Sequence, residues 1–306
     1  MQRALSAGGL WILGLLVSGE PSLGSDNRYL PTSNTGEIIH HSHYVLSYSE
    51  RHEQAEWVAY ELTASETLGG VARTDNFRAD PFVAGGSATL GDYRGTGYDR
   101  GHLAPAGDMG FSSAAMAESF LLSNVSPQEA SFNRGLWKKL EAQVRAWAAS
   151  AGDLYVVTGP VLSGVRRSIG SNRVTVPRGF FKALLDDNPA TPRAIAFMMP
   201  NEKSRAPLST FALEVSALEA TVGIDFFPGL PDSLEHALES RLDLTLWAFS
   251  EDATKTTESV QCSGVTSRRM RCKNRTRYSS GFCHVHQHQV GTSPVYTDES
   301  VDTSRQ

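Results

Sequence analysis

Cysteine is scarce in this sequence. The chain has three cysteines in 306 residues, Cys262, Cys272 and Cys283, and none precedes Cys262. An odd number leaves one thiol over if the other two form a disulfide. Everything before Cys262 must therefore be stable without disulfide bonds.

The sequence also lacks an excess of positive charge and a long apolar segment. The net charge of -5 excludes a general basic coat, so a nucleic-acid enzyme would have to build positive potential locally. Residues 10–17 are apolar but too few to span a bilayer. Because Arg3 precedes them and small residues follow, they predict a signal peptide over residues 1–24. The mature protein would then be secreted or periplasmic, without a membrane contact; a frayed N-terminal helix or a lipid-contacting anchor is the alternative.

No G-x-S-x-G segment is present, so the usual serine nucleophile of acyl transfer has no candidate. The segment GYDRGHLAPAGDM, residues 97–109, instead brings Asp99, Arg100 and His102 together. Neutral histidine is the usual general base near neutral pH, and the planar guanidinium of arginine suits phosphate oxygens. Gly101 lets the backbone bend, while Asp99 would orient Arg100 or anchor the loop. These residues favour phosphoryl or sulfuryl chemistry.

A metal ligand would complete such a site. The segment SNVSPQEASFNRGLWKKLE offers Asn124, Asn133 and Glu141. Asn133 and Glu141 are eight positions apart, which is ~12 Å along a helix, so both can face one site. We expect Asn133, also the predicted N-cap, to hold Mg²⁺ through its amide oxygen and Glu141 to hold a coordinated water. Mn²⁺ could substitute.

Hydrophobic patterning predicts an α+β domain over residues 40–250. A helix is expected where apolar residues recur at helical spacing: Leu136, Trp137, Leu140, Val144 and Trp147. Runs of β-branched and aromatic residues after residue 153 predict strands. Residues 52–62 fit either a helix or a strand, and residues 65–96 predict a loop.

Three further segments complete the predicted organisation. Residues 209–227 should begin as a helix and end as a short strand. A polar linker is predicted over residues 251–261 and a disordered tail over residues 289–306.

Two segments carry a family resemblance. YDRGHLAPAGDM, followed by FLLSNVSPQEASFNRGLWKKLE, closely resembles the DNA/RNA non-specific endonucleases of the ββα-metal (His-Me finger) superfamily. The downstream segments YVVTGPVL, VTVPRGFFKALL and LEATVGIDFFPGL are similar to the family as well. The resemblance implies a central mixed or antiparallel sheet flanked by helices. It also implies a Mg²⁺-dependent enzyme that hydrolyses DNA and RNA; a homodimer and a protein inhibitor are left open as partners.

The resemblance assigns a role to each matched residue. His102 would be the general base that deprotonates water, and Asn133 would be the sole direct protein ligand of Mg²⁺. Glu141 would hold a metal-bound water. Arg100 and Asn124 would support the phosphate and the local hydrogen bonds. Water would attack in line and leave a 5′-phosphate end.

The family also has an upstream arginine that stabilises the transition state. Arg73 is the best match and Arg78 is the alternative. A second hypothesis is a catalytically weak nucleic-acid-binding protein on a nuclease fold, and a third is another phosphodiesterase or phosphatase. The intact His102, Asn133 and Glu141 argue against a decayed site.

The C-terminal segment CSGVTSRRMRCKNRTRYSSGFCHVH collects the cysteines beside histidines. Three thiolates and one imidazole would close a structural Zn²⁺ site over residues 262–288. The expected ligands are Cys262, Cys272, Cys283 and His286, with His284 as a rival for the last position. The segment resembles small zinc-binding appendages found on varied enzymes. The alternative, in an oxidising compartment, is one disulfide and one free thiol.

The same segment contains no acidic residue between Cys262 and Cys283. Its basic residues form a local positive patch on an acidic protein, which suits a nucleic-acid backbone. The candidate contacts are Arg268, Arg269, Arg271 and Lys273.

Overall fold

A computed structural model describes residues 29–33, 36–165, 167–249, 255–267, 269–278, 280–283, 285–286 and 289. The predicted signal peptide, the predicted tail beyond residue 289, Arg268 and His284 lie outside these residues. The described part of the chain combines helices with an antiparallel sheet, as the α+β prediction requires. None of its helices combines the length and hydropathy that a bilayer span needs.

The strands are short, and most belong to one sheet. They are β1 (Glu37–His40), β2 (Val45–Ser49), β3 (Gln54–Leu62), β4 (Tyr98–His102), β5 (Val125–Glu129), β6 (Leu154–Pro160), β7 (Ser168–Ile169), β8 (Val174–Thr175), β9 (Gly179–Asp186), β10 (Arg193–Pro200), β11 (Ala212–Leu213), β12 (Lys255–Gln261) and β13 (Arg275–Tyr278). The main sheet has seven strands in the order β1-β2-β3-β6-β9-β10-β11. All its neighbours pair antiparallel. The ribbons β4-β5, β7-β8 and β12-β13 stand outside it.

The helices lie on both faces of this sheet. They are α1 (Leu90–Tyr93), α2 (Ser113–Ser119), α3 (Ala130–Phe132), α4 (Lys138–Ala151), α5 (Val215–Val222) and α6 (Asp232–Glu239). Short 3-10 turns occupy Glu66–Leu68, Leu122–Asn124, Leu208–Phe211 and Leu244–Leu246.

Strand β9 shows how the core is divided. All eight of its residues are buried, and alternate side chains of a strand point to opposite faces. Phe180 and Leu184 join the cluster that contains α4, whereas Phe181 and Leu185 join the cluster that contains α5. A strand covered on both faces reads as a continuous apolar run, which is the pattern that the sequence shows here.

One continuous helical segment, residues 130–151, covers the first face. The five apolar residues expected on one side of it are all buried in the first cluster, which confirms that prediction. The predicted N-cap is wrong. Glu129 caps the segment by accepting a hydrogen bond from the backbone N–H of Phe132 at 2.8 Å. Asn133 lies inside the helix at the start of a π turn, Asn133–Trp137, a feature that is frequent at functional sites.

The structure shows the secondary structure of two segments whose sequence predicted either a helix or a strand, or a mixture of both. Residues 54–62 form strand β3, so the strand reading of that segment holds. Helix α5 ends at Gly223, which adopts the left-handed conformation. The strand expected at the end of residues 209–227 does not form. Phe226 and Phe227 then pack into the second core cluster as irregular chain.

The C-terminal part of the chain is more ordered than a linker. Trp247 and Phe249 are buried against the first face of the sheet. Residues 255–261, predicted as linker, instead form β12, which pairs with β13. The threonine and valine residues in this segment fit a pleated strand better than its polar composition suggested.

Candidate active site

The ribbon β4-β5 carries the histidine of the D-R-G-H segment. His102 stands opposite Val125, and Gly101 stands opposite Ser126. A Cβ atom on Gly101 would lie 2.1 Å from the side-chain amide carbon of Gln128. Any side chain at this position would require the buried Gln128 side chain to shift. The glycine leaves room for that side chain just before His102.

Asn124 fixes the chain that follows His102. Its Oδ1 accepts a hydrogen bond from the Ala104 N–H at 2.8 Å, and its Nδ2 donates to the carbonyls of Ala104 and Ser119 at 2.9 Å each. Its backbone oxygen accepts the Leu103 N–H at 3.0 Å. Asn124 is fully buried, so its side chain cannot reach a phosphate. The local hydrogen bonds expected of it are present.

The imidazole of His102 lies between two aromatic rings. The ring centroids of Phe77 and Phe120 are 5.3 Å and 5.0 Å from it. Burial, together with the positive charges of Arg73 and Arg100, lowers its pKa to about 3. The ring is therefore neutral near pH 7. Its Nε2 is buried and has no hydrogen-bond partner among the residues that the structure describes.

Asn133 is oriented by a carboxylate. Its Nδ2 donates to Oδ2 of Asp99 at 3.0 Å. Arg134 holds the same carboxylate with two hydrogen bonds, from Nε at 2.8 Å and from Nη2 at 2.6 Å. Asp99 thus pairs with Arg134 and Asn133, and not with Arg100 as the sequence suggested. With Nδ2 committed, the amide oxygen of Asn133 is left as its ligand atom.

Glu141 lies on α4, eight positions after Asn133, next to a buried network of charged side chains. Burial raises the pKa of its carboxyl to about 7, while the positive charge of Arg145 opposes the rise. Arg145 donates to Oδ1 of Asp108 at 2.6 Å, and Tyr60 donates to Oδ2 at 2.7 Å. The buried Lys182 lies 5.3 Å from the ring centre of Trp137, on the same side of the sheet. Among the described residues of the cleft, Glu141 is the only one whose carboxyl pKa is strongly shifted, and these charged groups are its neighbours.

These residues line one cleft with two lobes, each of about 600 Å³. The lobes share Arg73, Arg100, Asn133 and Arg134, which form a waist between them. The first lobe is lined by the side chains of His102, Glu141, Lys138 and Arg145, together with small residues from 105–110. The second lobe is lined by Phe77, Leu90, Tyr93, Arg94 and Tyr98, with Asp75 and Asp99.

The choice between the two upstream arginines follows from this cleft. Arg73 lies at the waist with its guanidinium 4.9 Å from the ring centre of Phe120, and its Nε contacts Asp75 at 2.7 Å. Arg78 lines neither lobe, and its Nη1 donates to the carbonyl of Ala117 at 2.8 Å. Of the two candidates, Arg73 lines the cleft and Arg78 does not.

The donor set in the first lobe suits a hard cation. The amide oxygen of Asn133 and the carboxylate of Glu141 are oxygen ligands of the kind that Mg²⁺ and Mn²⁺ accept. One direct ligand and one more distant carboxylate fit an ion that keeps most of its waters. The residues present therefore fit the expected metal.

The family model of the DNA/RNA non-specific endonucleases matches residues 25–233 of the chain. The chain belongs to this family. It is an enzyme that hydrolyses nucleic acids, as the names of its relatives also indicate.

Relatives of this endonuclease come from distant organisms. It is 36% identical to Nuclease C1 of Cunninghamella echinulata var. echinulata over 211 residues, which cover 63% of this chain and 84% of the relative. It is 32% identical to a nuclease of Nostoc sp. over 240 residues, 74% of this chain and 85% of the relative. Human mitochondrial endonuclease G is 37% identical over 202 residues, 61% of this chain and 68% of the relative.

A solved structure fixes the fold of the endonuclease. The crystal structure of the EndoG/EndoGI complex contains a chain that aligns with a TM-score of 0.61 and 31% identity. The alignment covers 66% of this chain and 89% of that one. The fold is that of the ββα-metal nucleases, and β4, β5 and the helical segment 130–151 are the elements in its ββα order.

Some residues of the endonuclease site are not predicted from the sequence. Arg134, Lys138, Asp108, Arg145 and Lys182 all lie in or beneath the cleft. Two of them had a local signal. Arg145 follows Glu141 by four positions, a spacing that pairs charges on a helix, and Lys182 is a lone charge in the apolar run GFFKALL. The others are placed only by the fold.

The C-terminal cysteines of the endonuclease form a second cluster, away from the cleft. Cys262, Cys272, Cys283 and His286 are all buried, and their ligand atoms lie within 4.8 Å of one another. The Sγ atoms of Cys272 and Cys283 are 3.9 Å apart, close to the ~3.8 Å that two thiolates keep around one tetrahedral Zn²⁺. The cysteines are free of disulfides. The cluster has the geometry to hold a metal ion.

Backbone contacts support this cluster. The N–H groups of Gly264 and Cys283 point at Sγ of Cys262 at 3.2 Å and 3.1 Å. A Cβ atom on Gly264 would lie 2.4 Å from the imidazole of His286, so a glycine is needed where that ring packs. Arg271 uses its guanidinium locally, donating to the carbonyls of Gln261 and Cys262.

Proposed function

We propose that this endonuclease is secreted or periplasmic, requires Mg²⁺, and cuts both DNA and RNA without sequence preference. The observation that carries the proposal is the shared cleft: His102 and Asn133 line the same lobe, with Arg73 and Arg100 beside them. A base, a metal ligand and two guanidinium groups are the parts that phosphodiester hydrolysis needs. The export rests on the sequence of residues 1–24 alone.

Each residue has a separate task in this mechanism. His102 is neutral at working pH and accepts the proton of the attacking water at Nε2. Arg73 and Arg100 hold the phosphate and its developing negative charge. Asn133 would hold Mg²⁺ directly and Glu141 through water. The ion, when bound, supplies positive charge to the phosphate and the leaving oxygen.

The lack of sequence preference follows from what the cleft offers a substrate. Its waist presents three guanidinium groups beside Asn133, and guanidinium groups bind phosphate without distinguishing the bases. The positive potential is local, as the acidic overall composition of the chain requires. Duplex and single strands, and both sugars, present the same phosphate to such a waist.

Cleavage of supercoiled plasmid and of RNA, with Mg²⁺ or with chelator, tests the proposal. We expect cleavage of both substrates with Mg²⁺, none with chelator, and a fall of about 100- to 10,000-fold for His102→Ala. The pair Arg73→Ala and Arg78→Ala is a matched comparison, because only the first arginine lies in the cleft. Wild-type protein that binds both substrates without cutting them would support the binding-protein hypothesis instead.

The C-terminal module has a separate proposed role. We propose that Cys262, Cys272, Cys283 and His286 hold a structural Zn²⁺, which leaves no open position for catalysis. Arg269 and Lys273, with Arg268, would then contact the nucleic-acid backbone. Lower affinity of an Arg269→Ala, Lys273→Ala variant for long DNA, with unchanged cleavage of short oligonucleotides, would support this role.

The remaining partners rest on one comparison. The similar EndoG chain is bound to EndoGI in its crystal structure. This supports a protein inhibitor as a partner of the present endonuclease. Co-elution with a candidate inhibitor, and loss of plasmid cleavage in the complex, would test it. The homodimer stays a prediction.

A further inference from the structure

The second lobe of the cleft has no task in the mechanism above. It begins at the waist and extends away from His102, and its volume of about 600 Å³ equals that of the first lobe. Hydrolysis needs only the waist and the first lobe. A space of this size next to a phosphate site is large enough for part of a nucleotide.

The chemistry of the second lobe differs from that of the first. Its aromatic and aliphatic lining consists of Phe77, Leu90, Tyr93 and Tyr98. Its two acids are already engaged, Asp75 with Arg73 at 2.7 Å and Asp99 with Arg134 at 2.6 Å. Phe77 and Tyr93 are largely buried, so the partly buried Tyr98 is the aromatic ring of this lobe that remains for a nucleobase, with the cation Arg94 beside it.

Two residues of this lobe are placed for such a contact. Tyr98 packs against a core cluster, and the guanidinium of Arg167 lies 5.1 Å from its ring centre, so a base would stack on the part of the ring that lines the lobe. Arg94 lines the lobe and is exposed. Within the part of the chain that the structure describes, Arg94 has no carboxylate partner.

The order of residues along β4 connects the lobe to the reaction. Tyr98, Arg100 and His102 alternate along the strand, so all three project from the same face. Tyr98 is four positions from His102, about 13 Å along an extended chain. A strand whose phosphate lies beside Arg100 therefore has its neighbouring nucleotide within reach of Tyr98.

We propose that the second lobe is a nucleobase subsite, in which a base next to the cleaved linkage stacks on Tyr98 while Arg94 pairs with the adjoining phosphate. The proposal rests on the nuclease function proposed above. Stacking tolerates every base, so the subsite is compatible with cleavage at any sequence. A base can enter only after it leaves its own stack, so single strands are better substrates than duplexes.

An oligonucleotide of about 12 residues tests the subsite, a length within the range that such grooves bind. All linkages but one are phosphorothioates, and an abasic residue replaces one nucleotide at each position beside the cleavable linkage in turn. With wild-type protein we expect kcat/KM to fall by about 10-fold for one position and to change little for the others.

Two variants test whether the Tyr98 ring contacts the base at the position where an abasic residue lowers kcat/KM. Tyr98→Ala should lose about the same factor on the intact oligonucleotide and nothing further on the abasic one. Tyr98→Phe keeps the ring and should behave as wild type. Melting temperatures of both variants separate a folding defect from a lost contact, because Tyr98 is partly buried.

Arg94→Ala tests the proposed phosphate contact without changing a buried residue. It should raise KM and weaken the dependence of KM on salt, because one phosphate contact is lost. Arg51→Ala, an exposed arginine outside the cleft, is the matched control and should do neither.

Failure of the subsite and failure of the nuclease function give different results. No cleavage of the intact oligonucleotide by wild-type protein would contradict the function itself. Cleavage that is insensitive to every abasic position, or equally sensitive in Tyr98→Ala, would overturn the subsite alone.

Discussion

Asn133 donates its side-chain amide to Asp99, with 3.0 Å between Nδ2 and Oδ2. The two residues are 34 positions apart in the chain, one at the start of a π turn and the other on β4. The contact commits the amide nitrogen of Asn133 and leaves its oxygen for a ligand. In the proposed mechanism Asp99 would thus select the atom of the amide that binds the cation.

Removal of this carboxylate should weaken the metal site. For Asp99→Ala we expect the Mg²⁺ concentration for half-maximal activity to rise by about 10- to 100-fold, the usual effect of losing a group that orients a ligand. Activity measured over a Mg²⁺ titration checks this. Glu202→Ala, an exposed acid elsewhere, serves as the control. An unchanged Mg²⁺ midpoint would mean that the Asp99 carboxylate binds Arg134 but does not orient Asn133.

Gly101→Ala should destabilise the whole ribbon. The new Cβ would lie 2.1 Å from the buried Gln128 side chain, and overpacking of this kind costs about 1 to 3 kcal/mol of unfolding free energy. Gly135→Ala is the matched control, since nothing lies within 4 Å of its Cβ position. Denaturant titration of both variants measures the difference. Equal midpoints would show that Gln128 can move aside.

Stability should depend on pH through Glu239. Burial, with the neighbouring charges of Glu219, Glu235 and Asp225, raises the pKa of this carboxyl to about 8. Between its ordinary pKa and about 8 the folded state keeps a proton that the unfolded state releases. The free energy of unfolding therefore falls as pH rises through this window.

Replacement of that carboxyl reveals the effect. Glu239→Gln should raise the free energy of unfolding at pH 8 by about 1 to 3 kcal/mol and leave it unchanged near pH 4. Thermal unfolding at the two pH values measures this. A gain of equal size at both would point to packing, not to ionisation.

The cysteine cluster should contain one metal ion per chain. We expect zinc in the purified protein, its loss in Cys272→Ser, and three thiols that react in denaturant with chelator but without reductant. Cleavage of short oligonucleotides should persist, because the cluster does not line the cleft. A single reactive thiol would instead indicate the disulfide.

The sequence was sufficient for features that depend on local pattern. The spacing of Leu136, Leu140 and Val144 predicted the buried face of the helix, because a helix repeats every 3.6 residues wherever it packs. The D-R-G-H segment and Asn133 predicted the cleft, because those residue types combine in few other ways. The predicted N-cap failed for a local reason: a glutamate four positions earlier, Glu129, provides the cap.

The rest depended on contacts between distant segments. Asp99 looked like a partner for its neighbour Arg100, yet the π turn brings Arg134 to it from another element. Arg73 lies in a stretch without periodicity, where only the folded chain can distinguish it from Arg78. Phe226 and Phe227 resembled a strand because burial alone produces the same residue types.

The residues from Asp99 to Arg145 supply every side chain at the waist and in the first lobe except those contributed by residues 69–73. The exposed hairpin between β9 and β10 lies on a different part of the chain. A break of the chain in this hairpin would therefore leave His102 and Asn133 on one unbroken segment. Proteolytic nicking between β9 and β10 is the change that the cleft should survive.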